Sequence, residues 1–182
     1  MKITKISKDT LIPTIWDGGE TFEYYIYPEN SVYANRDFLF RISAATITKV
    51  PSVFTKFKNY QRYLVMLDND LSININGKEA NYTPNDVFKF DSNSDIISHT
   101  KGNDFNLMVH KNAIANMIQT NSNQVLSNSF VFIFTKESMN LRINTQEYFL
   151  QPNDLVVITN EQHEEIQINL HAMAIIGYCN KI

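Results

Sequence analysis

Arg41 and Ser43 stand two residues apart in Phe40-Arg41-Ile42-Ser43, and Asp104 and Asn106 stand two apart in Asp104-Phe105-Asn106-Leu107. Successive side chains of a β-strand point to opposite faces, so each polar pair shares a face and its apolar neighbours share the other. A second arginine, Arg62, begins another strand of the same kind. If these faces turn into a barrel, the cavity holds two guanidiniums, a carboxylate, an amide and a hydroxyl. Guanidinium forks bind carboxylates bidentately, while Asp104 either holds one arginine in place or accepts from a ligand N–H. The set suits a small carboxylate that also carries a nitrogen donor. Two plainer readings stand beside it: a polar face that is only the solvated side of a sheet, or an Arg62–Asp104 pair that fixes the barrel and binds nothing.

Trp16 and Glu23 flank this set. Trp16 leads into the turn Asp17-Gly18-Gly19 ahead of the first strong strand, which carries Glu23. A lone Trp is usually a packing residue and a Gly pair a backbone turn. Glu23 and Asp104 are a general acid and base only if they face one cavity, and nothing in the sequence fixes their separation. No phosphate-cradling glycine loop, dinucleotide fingerprint or nucleophile elbow occurs. Cys179 lies in an apolar run near the C-terminus with Lys181 as its one nearby basic residue, a setting without a sign of thiolate activation. No residue is assigned a catalytic role.

The elements that must position these residues are strands. Period-two alternation recurs in Phe22/Tyr24/Ile26, Phe38/Phe40/Ile42, Tyr63/Val65/Leu67, Leu71/Ile73/Ile75, Phe105/Leu107/Val109, Met139/Leu141/Ile143 and Ile166/Ile168/Leu170. Asn76-Gly77 supplies the two positive φ angles of a tight hairpin turn. Phe130-Val131-Phe132-Ile133-Phe134 is continuously apolar and predicts a strand buried on both faces, between two barrels or in a subunit interface. One short helix is expected over Ala113 to Gln119, where Ala, Ile and Met fall at helical spacing. Many short strands separated by turn signals indicate an all-β sandwich or barrel.

The two halves of the chain repeat. Ile73, Ile75, Asn76, Glu79 and Pro84-Asn85-Asp86 recur as Leu141, Ile143, Asn144, Glu147 and Pro152-Asn153-Asp154, at a constant offset of 152 − 84 = 68 residues. This is read as an internal duplication. The unit of strand, tight turn, strand, then Pro-Asn-Asp and an apolar strand resembles the second motif of cupins, small jelly-roll barrels built as double-stranded β-helices. By the same offset His163 stands where a cupin metal-binding His falls, with Asp95 as its first-half counterpart. The His-x-His segment of a cupin metal site is absent from both halves, and the four histidines, His99, His110, His163 and His171, show no pairing that would assemble a coordination sphere. The reading is a cupin without metal or other cofactor.

Four segments together resemble the HutD/Ves family, named for a protein encoded with histidine-utilisation enzymes and a stress-associated relative. They are Trp16-Asp17-Gly18-Gly19-Glu20-Thr21-Phe22-Glu23, Phe40-Arg41-Ile42-Ser43-Ala44-Ala45, Phe54-Thr55-Lys56-Phe57-Lys58-Asn59-Tyr60-Gln61-Arg62 and Asp104-Phe105-Asn106-Leu107-Met108. The resemblance is strong over about residues 14 to 112 and rests on the second repeat beyond. It implies a bicupin-like single chain with no established enzymatic reaction, and a small-metabolite-binding role connected with histidine breakdown. The sequence departs from the family pattern at Glu20, at Phe57-Lys58-Asn59, at Asp68-Asn69-Asp70 and at His110-Lys111. Asn can take the left-handed conformation that Gly supplies, so turns can persist through such changes.

Composition sets the outer bounds. The chain has 182 residues, 43% hydrophobic and 19% charged, which excludes overall disorder and suffices for a core without disulfides. A single Cys179 fits a reducing, cytoplasmic compartment. Sixteen basic against nineteen acidic residues give a net charge of −3 with no basic cluster, so no nucleic-acid partner is expected, and no apolar stretch of spanning length points to a membrane. The Asn-, Lys- and Ile-rich usage suggests an AT-rich bacterial genome. The expected architecture is all-β: a bicupin of two jelly-roll barrels, residues 1–112 and 113–182, with strands shared between the second barrel and the N-terminal segment. Cupin-like chains often dimerise, and a homodimer is one assembly left open, beside a small-molecule carboxylate as the expected ligand. The expected function is binding of a small carboxylated metabolite by Arg41, Ser43, Arg62, Asp104, Asn106, Trp16 and Glu23. A small cupin isomerase or hydrolase acting on a carboxylated metabolite, and a structural or interaction protein, remain alternatives.

Overall fold

The structure is a computed structural model and describes residues 1–181. It divides into two compact units, residues 11–112 and a second made of Met1–Thr10 with residues 113–181. The chain opens with β1 (Lys2–Ile6), which belongs to the second unit. The first unit follows with β2 (Thr14–Trp16), β3 (Gly19–Tyr27), β4 (Phe40–Ile47), β5 (Ser52–Val53), β6 (Tyr60–Met66), β7 (Leu71–Ile75), β8 (Lys78–Tyr82), β9 (Phe88–Asp91), β10 (Ile96–Ser98) and β11 (Gly102–His110). The chain then returns to the second unit with β12 (Ala113–Thr120), β13 (Gln124–Leu126), β14 (Phe130–Thr135), β15 (Met139–Ile143), β16 (Gln146–Leu150), β17 (Leu155–Thr159), β18 (Ile166–Leu170) and β19 (Ala174–Lys181).

Within residues 11–112, a six-stranded antiparallel sheet in the order β2-β3-β4-β11-β6-β9 is paired with a four-stranded sheet, β5-β10-β7-β8. Leu64, Met66, Phe88 and Phe90 from the large sheet meet Leu71, Ile73 and Ile96 from the small one in a buried cluster. The alternation read from sequence carries through β4, β11 and β6. Phe40, Ile42, Tyr63, Val65, Phe105 and Leu107 occupy one face of the large sheet and are almost fully buried. The opposite face carries Arg41, Ser43, Arg62 and Asp104, and these are buried as well. The solvated-face reading of Arg41 and Ser43 is therefore wrong.

Within the other unit, the sheet β1-β17-β14-β19-β12 is paired with β13-β18-β15-β16. Its core holds Val131, Ile133, Leu141, Ile143, Leu150, Val156, Ile158, Ile166 and Ile168. The apolar strand β14 is buried along its whole length, as its composition predicts. Residues 1–10 do not join the 11–112 unit: β1 pairs residue by residue with β17, from Lys2 against Thr159 to Ile6 against Leu155. The helix expected at Ala113 to Gln119 is absent, because those residues form β12 and pair with β19 over eight positions. Ala113, Ala115 and Met117 point inward and Ile114, Asn116 and Ile118 outward, a period-two pattern that tertiary pairing imposes over the helical preference of Ala and Met.

The repeat seen in sequence is a repeat of hydrogen bonds. β7 and β8 are joined by Asn76-Gly77, both at positive φ, and β15 and β16 by Asn144-Thr145, with Asn144 at φ 52°. Asp86 Oδ2 accepts the N–H of Thr83, and Asp154 Oδ2 accepts the N–H of Gln151. The side chain of Asn76 accepts from the N–H of Asp95, and that of Asn144 from the N–H of Gln167. The structural counterpart of Asp95 is thus Gln167 and not His163, because the second unit inserts four residues after its Pro-Asn-Asp turn (167 − 95 = 72, against 68). His163 itself lies on that longer loop at φ 53°, with Nδ1 3.0 Å from the carbonyl of Ser127.

Candidate functional site

A cavity of about 350 Å³ opens over the polar face of the large sheet in the 11–112 unit. All seven candidate residues, Trp16, Glu23, Arg41, Ser43, Arg62, Asp104 and Asn106, line it. Strand register explains the convergence. One rung of the sheet runs Glu23, Ser43, Asn106, Leu64, and the next runs Thr21, Ala45, Asp104, Met66. A third rung places Arg41 and Arg62 on either side of Met108. A bulge between Glu23 and Tyr25 bends β3 beside this row.

The two arginines are held differently. Arg41 Nε donates to Glu23 Oε2 at 2.5 Å and Nη1 donates to Ser43 Oγ at 3.1 Å. Its guanidinium lies 4.3 Å over the ring of Tyr33, a favourable cation–π placement. Arg62 Nε donates to Ser92 Oγ at 2.9 Å and Nη2 to the carbonyl of Thr55 at 2.7 Å. Burial pushes the Arg62 pKa below its ordinary value, against the opposing pull of Tyr33 and Asp104.

Asp104 is 4% exposed and its Oδ1 has no hydrogen-bond partner; the buried Oδ1 of Asn106 is in the same condition. Burial pushes the Asp104 carboxyl up to about 7, against the attraction of Arg62 and a backbone hydrogen bond from Ala45 and with the repulsion of Asp68. Arg62 and Asp104 attract through space without forming an ion pair; Arg62 spends its short contacts on Ser92 and Thr55. The buried-pair alternative therefore does not account for Asp104. Orphaned buried acceptors are costly and rare. Two of them two residues apart on a cavity wall, facing arginines that keep N–H groups in reserve, make a surface ready for a guest with both donors and an anion.

The cavity mouth is more apolar. Trp16, 39% exposed, donates from its indole N–H to Thr21 Oγ1 and lies flat over Gly18, where a Cβ would fall 1.9 Å from the ring. Gly19 is needed for a second reason: it begins β3 at φ 156°, and a Cβ there would stand 1.9 Å from the Thr46 carbonyl. Asn59 takes φ 69°, a left-handed conformation that Asn tolerates. Sequence reasoning missed Tyr33, which sits in a 3-10 turn (Tyr33–Asn35) outside any alternating run, and missed Ser92 and Thr55, whose part lies in holding Arg62.

No imidazole or thiol lines the cavity, and among the described residues no group of three His, Cys, Asp or Glu side chains is placed to hold a metal. Glu23 and Asp104 alone do not make the imidazole-rich donor set of a cupin metal. Cys179 is fully buried in β19 and burial pushes its thiol up to about 12, the opposite of an activated nucleophile. No helix of the described residues is long and apolar enough to cross a membrane.

Comparison with known proteins places the fold. The chain matches the family described as HutD over residues 9–176. It is similar in structure to HutD from Pseudomonas fluorescens SBW25, with a TM-score of 0.85, 17% identity and the whole of both chains covered. A conserved protein of unknown function from Pseudomonas aeruginosa PAO1 gives the same figures. The nickel(II) complex of the bacterial pirin YhhW from Escherichia coli aligns at a TM-score of 0.67 with 9% identity, covering 99% of each chain. A mutant of oxalate decarboxylase from Bacillus subtilis aligns at 0.61 with 7% identity, covering 97% of this chain and 76% of that one. No curated protein matches the sequence.

Proposed function

From the premise that the chain belongs to the HutD family, we propose that it is a metabolite-binding protein whose ligand, a small carboxylate bearing an N–H or O–H donor, occupies the cavity of the 11–112 unit. The observation that carries this reading is the pairing, on one cavity wall, of buried guanidiniums with two orphaned acceptors, Asp104 Oδ1 and Asn106 Oδ1. Arg41 and Arg62 take the carboxylate, Asp104 and Asn106 take the donor, and Ser43 and Glu23 hold Arg41 in place. Trp16 closes the mouth against the less polar part of the ligand. Amino-acid-like and formylated metabolites have this chemistry, and the family connection directs attention to intermediates of histidine breakdown, with a regulatory outcome. The two duplicated units are the barrels of a bicupin, the second serving as scaffold, in a cytoplasmic bacterial protein that binds neither nucleic acid nor membrane and assembles as a homodimer.

The test is a thermal-shift screen of small carboxylates and histidine-breakdown intermediates. A ligand at a hundred times its Kd stabilises by about 2.7 kcal/mol, a shift of several degrees. The expected result is a shift with one chemically coherent group of carboxylates, lost in Arg41→Ala and Arg62→Lys; the second variant keeps the charge and removes the fork. A screen without a shift, or one in which the variants respond like the wild type, contradicts the reading. Asp104 near neutrality would also serve proton transfer, so turnover of a binding carboxylate in the same screen would favour an isomerase or hydrolase instead.

A further inference from the structure

Arg41 and Arg62 are two strands apart on the same rung, with Met108 of the intervening β11 as register partner of both. Neighbouring strands lie about 4.8 Å apart, so the two backbones are separated by about 10 Å and two long side chains reach into one space. Cations brought this close repel each other, and the charge of Arg41 is one of the influences lowering the Arg62 pKa. Some group must hold them side by side.

Tyr33 lies beside both. Its ring face lies 4.3 Å from Arg41 Cζ, its oxygen pulls on the Arg62 charge and opposes the lowering of the Arg62 pKa, and Arg62 Cζ stands 5.6 Å over the ring of Phe57, against which Tyr33 packs. The ring is fixed from behind by Phe57 at 5.0 Å and Phe38 at 6.2 Å between centroids, and both of these are 2% exposed. The segment that carries Tyr33 is tied down in turn, because the Tyr60 hydroxyl is bonded to the carbonyls of Arg36 and Phe38, and Asp37 Oδ1 accepts the N–H of Val32. A guanidinium has five N–H donors, and the side-chain partners of Arg41 engage only Nε and Nη1. Donors remain for a guest.

We propose that Tyr33 is a positioning residue that holds Arg41 and Arg62 as one paired seat, so that both guanidiniums grip a single ligand carboxylate. The inference rests on the carboxylate-binding reading above and adds which groups share the anion and what sets their spacing. It places the remainder of the ligand toward Asn106 and Asp104, one and two rungs further along β11.

The experiment is isothermal titration with N-acetylglycine, which carries one carboxylate and one N–H, or with the tightest carboxylate of the screen if that binds better. Wild type is compared with Arg41→Gln, Arg62→Gln, the double variant, Tyr33→Phe and Tyr33→Leu. A shared carboxylate predicts non-additive losses: either arginine substitution removes most of the affinity and the double variant loses little more. Tyr33→Phe keeps the ring and its packing and removes only the hydroxyl, so it should weaken binding five- to tenfold with an unchanged melting midpoint in the absence of ligand; Tyr33→Leu should weaken it further. Wild-type affinity in Tyr33→Phe, or arginine losses that simply multiply, overturns the paired seat while leaving the binding site standing. A wild type that binds no carboxylate overturns the binding reading and this inference together.

Discussion

Burial pushes the Asp104 carboxyl up to about 7, and this has a stability consequence with a definite sign. An unfolded Asp titrates near 4, so between roughly pH 4 and 7 the folded chain binds a proton that the unfolded chain does not. Stability contributed by this group is present at low pH and is lost as pH rises toward 7. Asp104→Asn imitates the protonated form. Urea titrations should therefore show wild type losing ground to Asp104→Asn between pH 5 and pH 8, by an amount on the order of a few kcal/mol; a difference that stays constant across that range contradicts the assignment. At this scale the sequence was informative wherever strand alternation applied. Arg41, Ser43, Asp104 and Asn106 could be matched by face because period two needs no tertiary knowledge. Tyr33 could not, since its position depends on how a turn outside the sheet folds back, and no local periodicity records that.

At the scale of elements, the sheets are set by close cross-strand fits as much as by hydrophobic pattern. Gly177 of β19 lies opposite Phe132 of β14, and a Cβ at Gly177 would stand 2.1 Å from the Phe132 ring and 2.8 Å from the Asn116 carbonyl on β12. Gly177→Ala should cost about 1 to 3 kcal/mol in denaturant unfolding, the range of an overpacked core, and Phe132→Leu in the same chain should recover part of it. Equal stability of Gly177→Ala and wild type would mean that β12, β14 and β19 are spaced more widely than described. The tight turn at Asn76-Gly77 and the two Pro-Asn-Asp turns were legible because turn chemistry is local. The strand at Ala113 to Thr120 was not, because its residues favour a helix and only the unseen partner β19 makes them extended. The same locality explains the misplaced counterpart of Asp95: a constant sequence offset holds only until a loop changes length.

At the scale of the molecule, chain order and spatial organisation part company at the N-terminus. Residues 2–6 complete the 113–181 unit through β17, Ile3 packs on its core, and Asp154 accepts from Ser7 at 2.6 Å and pairs with Lys5 at 2.9 Å. Removing residues 1–7 should destabilise the 113–181 unit by about 2 to 4 kcal/mol through lost apolar burial and an unpaired buried Asp154. The same truncation should leave carboxylate affinity unchanged, because every residue lining the cavity lies between Thr14 and Met108. Loss of binding on truncation would contradict the placement of the site. Internal duplication was visible in the sequence because its turn signatures are short and polar. Nothing in the first ten residues reveals that their partner lies some 150 positions away.

The most direct test of the central claim is a nuclear magnetic resonance titration that follows the Nε–Hε signals of Arg41 and Arg62 while a carboxylate from the screen is added. Both signals should move together and saturate at one Kd, Asp104→Asn should alter that Kd, and the backbone signals of the 113–181 unit should stay in place. Binding that leaves both arginine signals unmoved would contradict that claim.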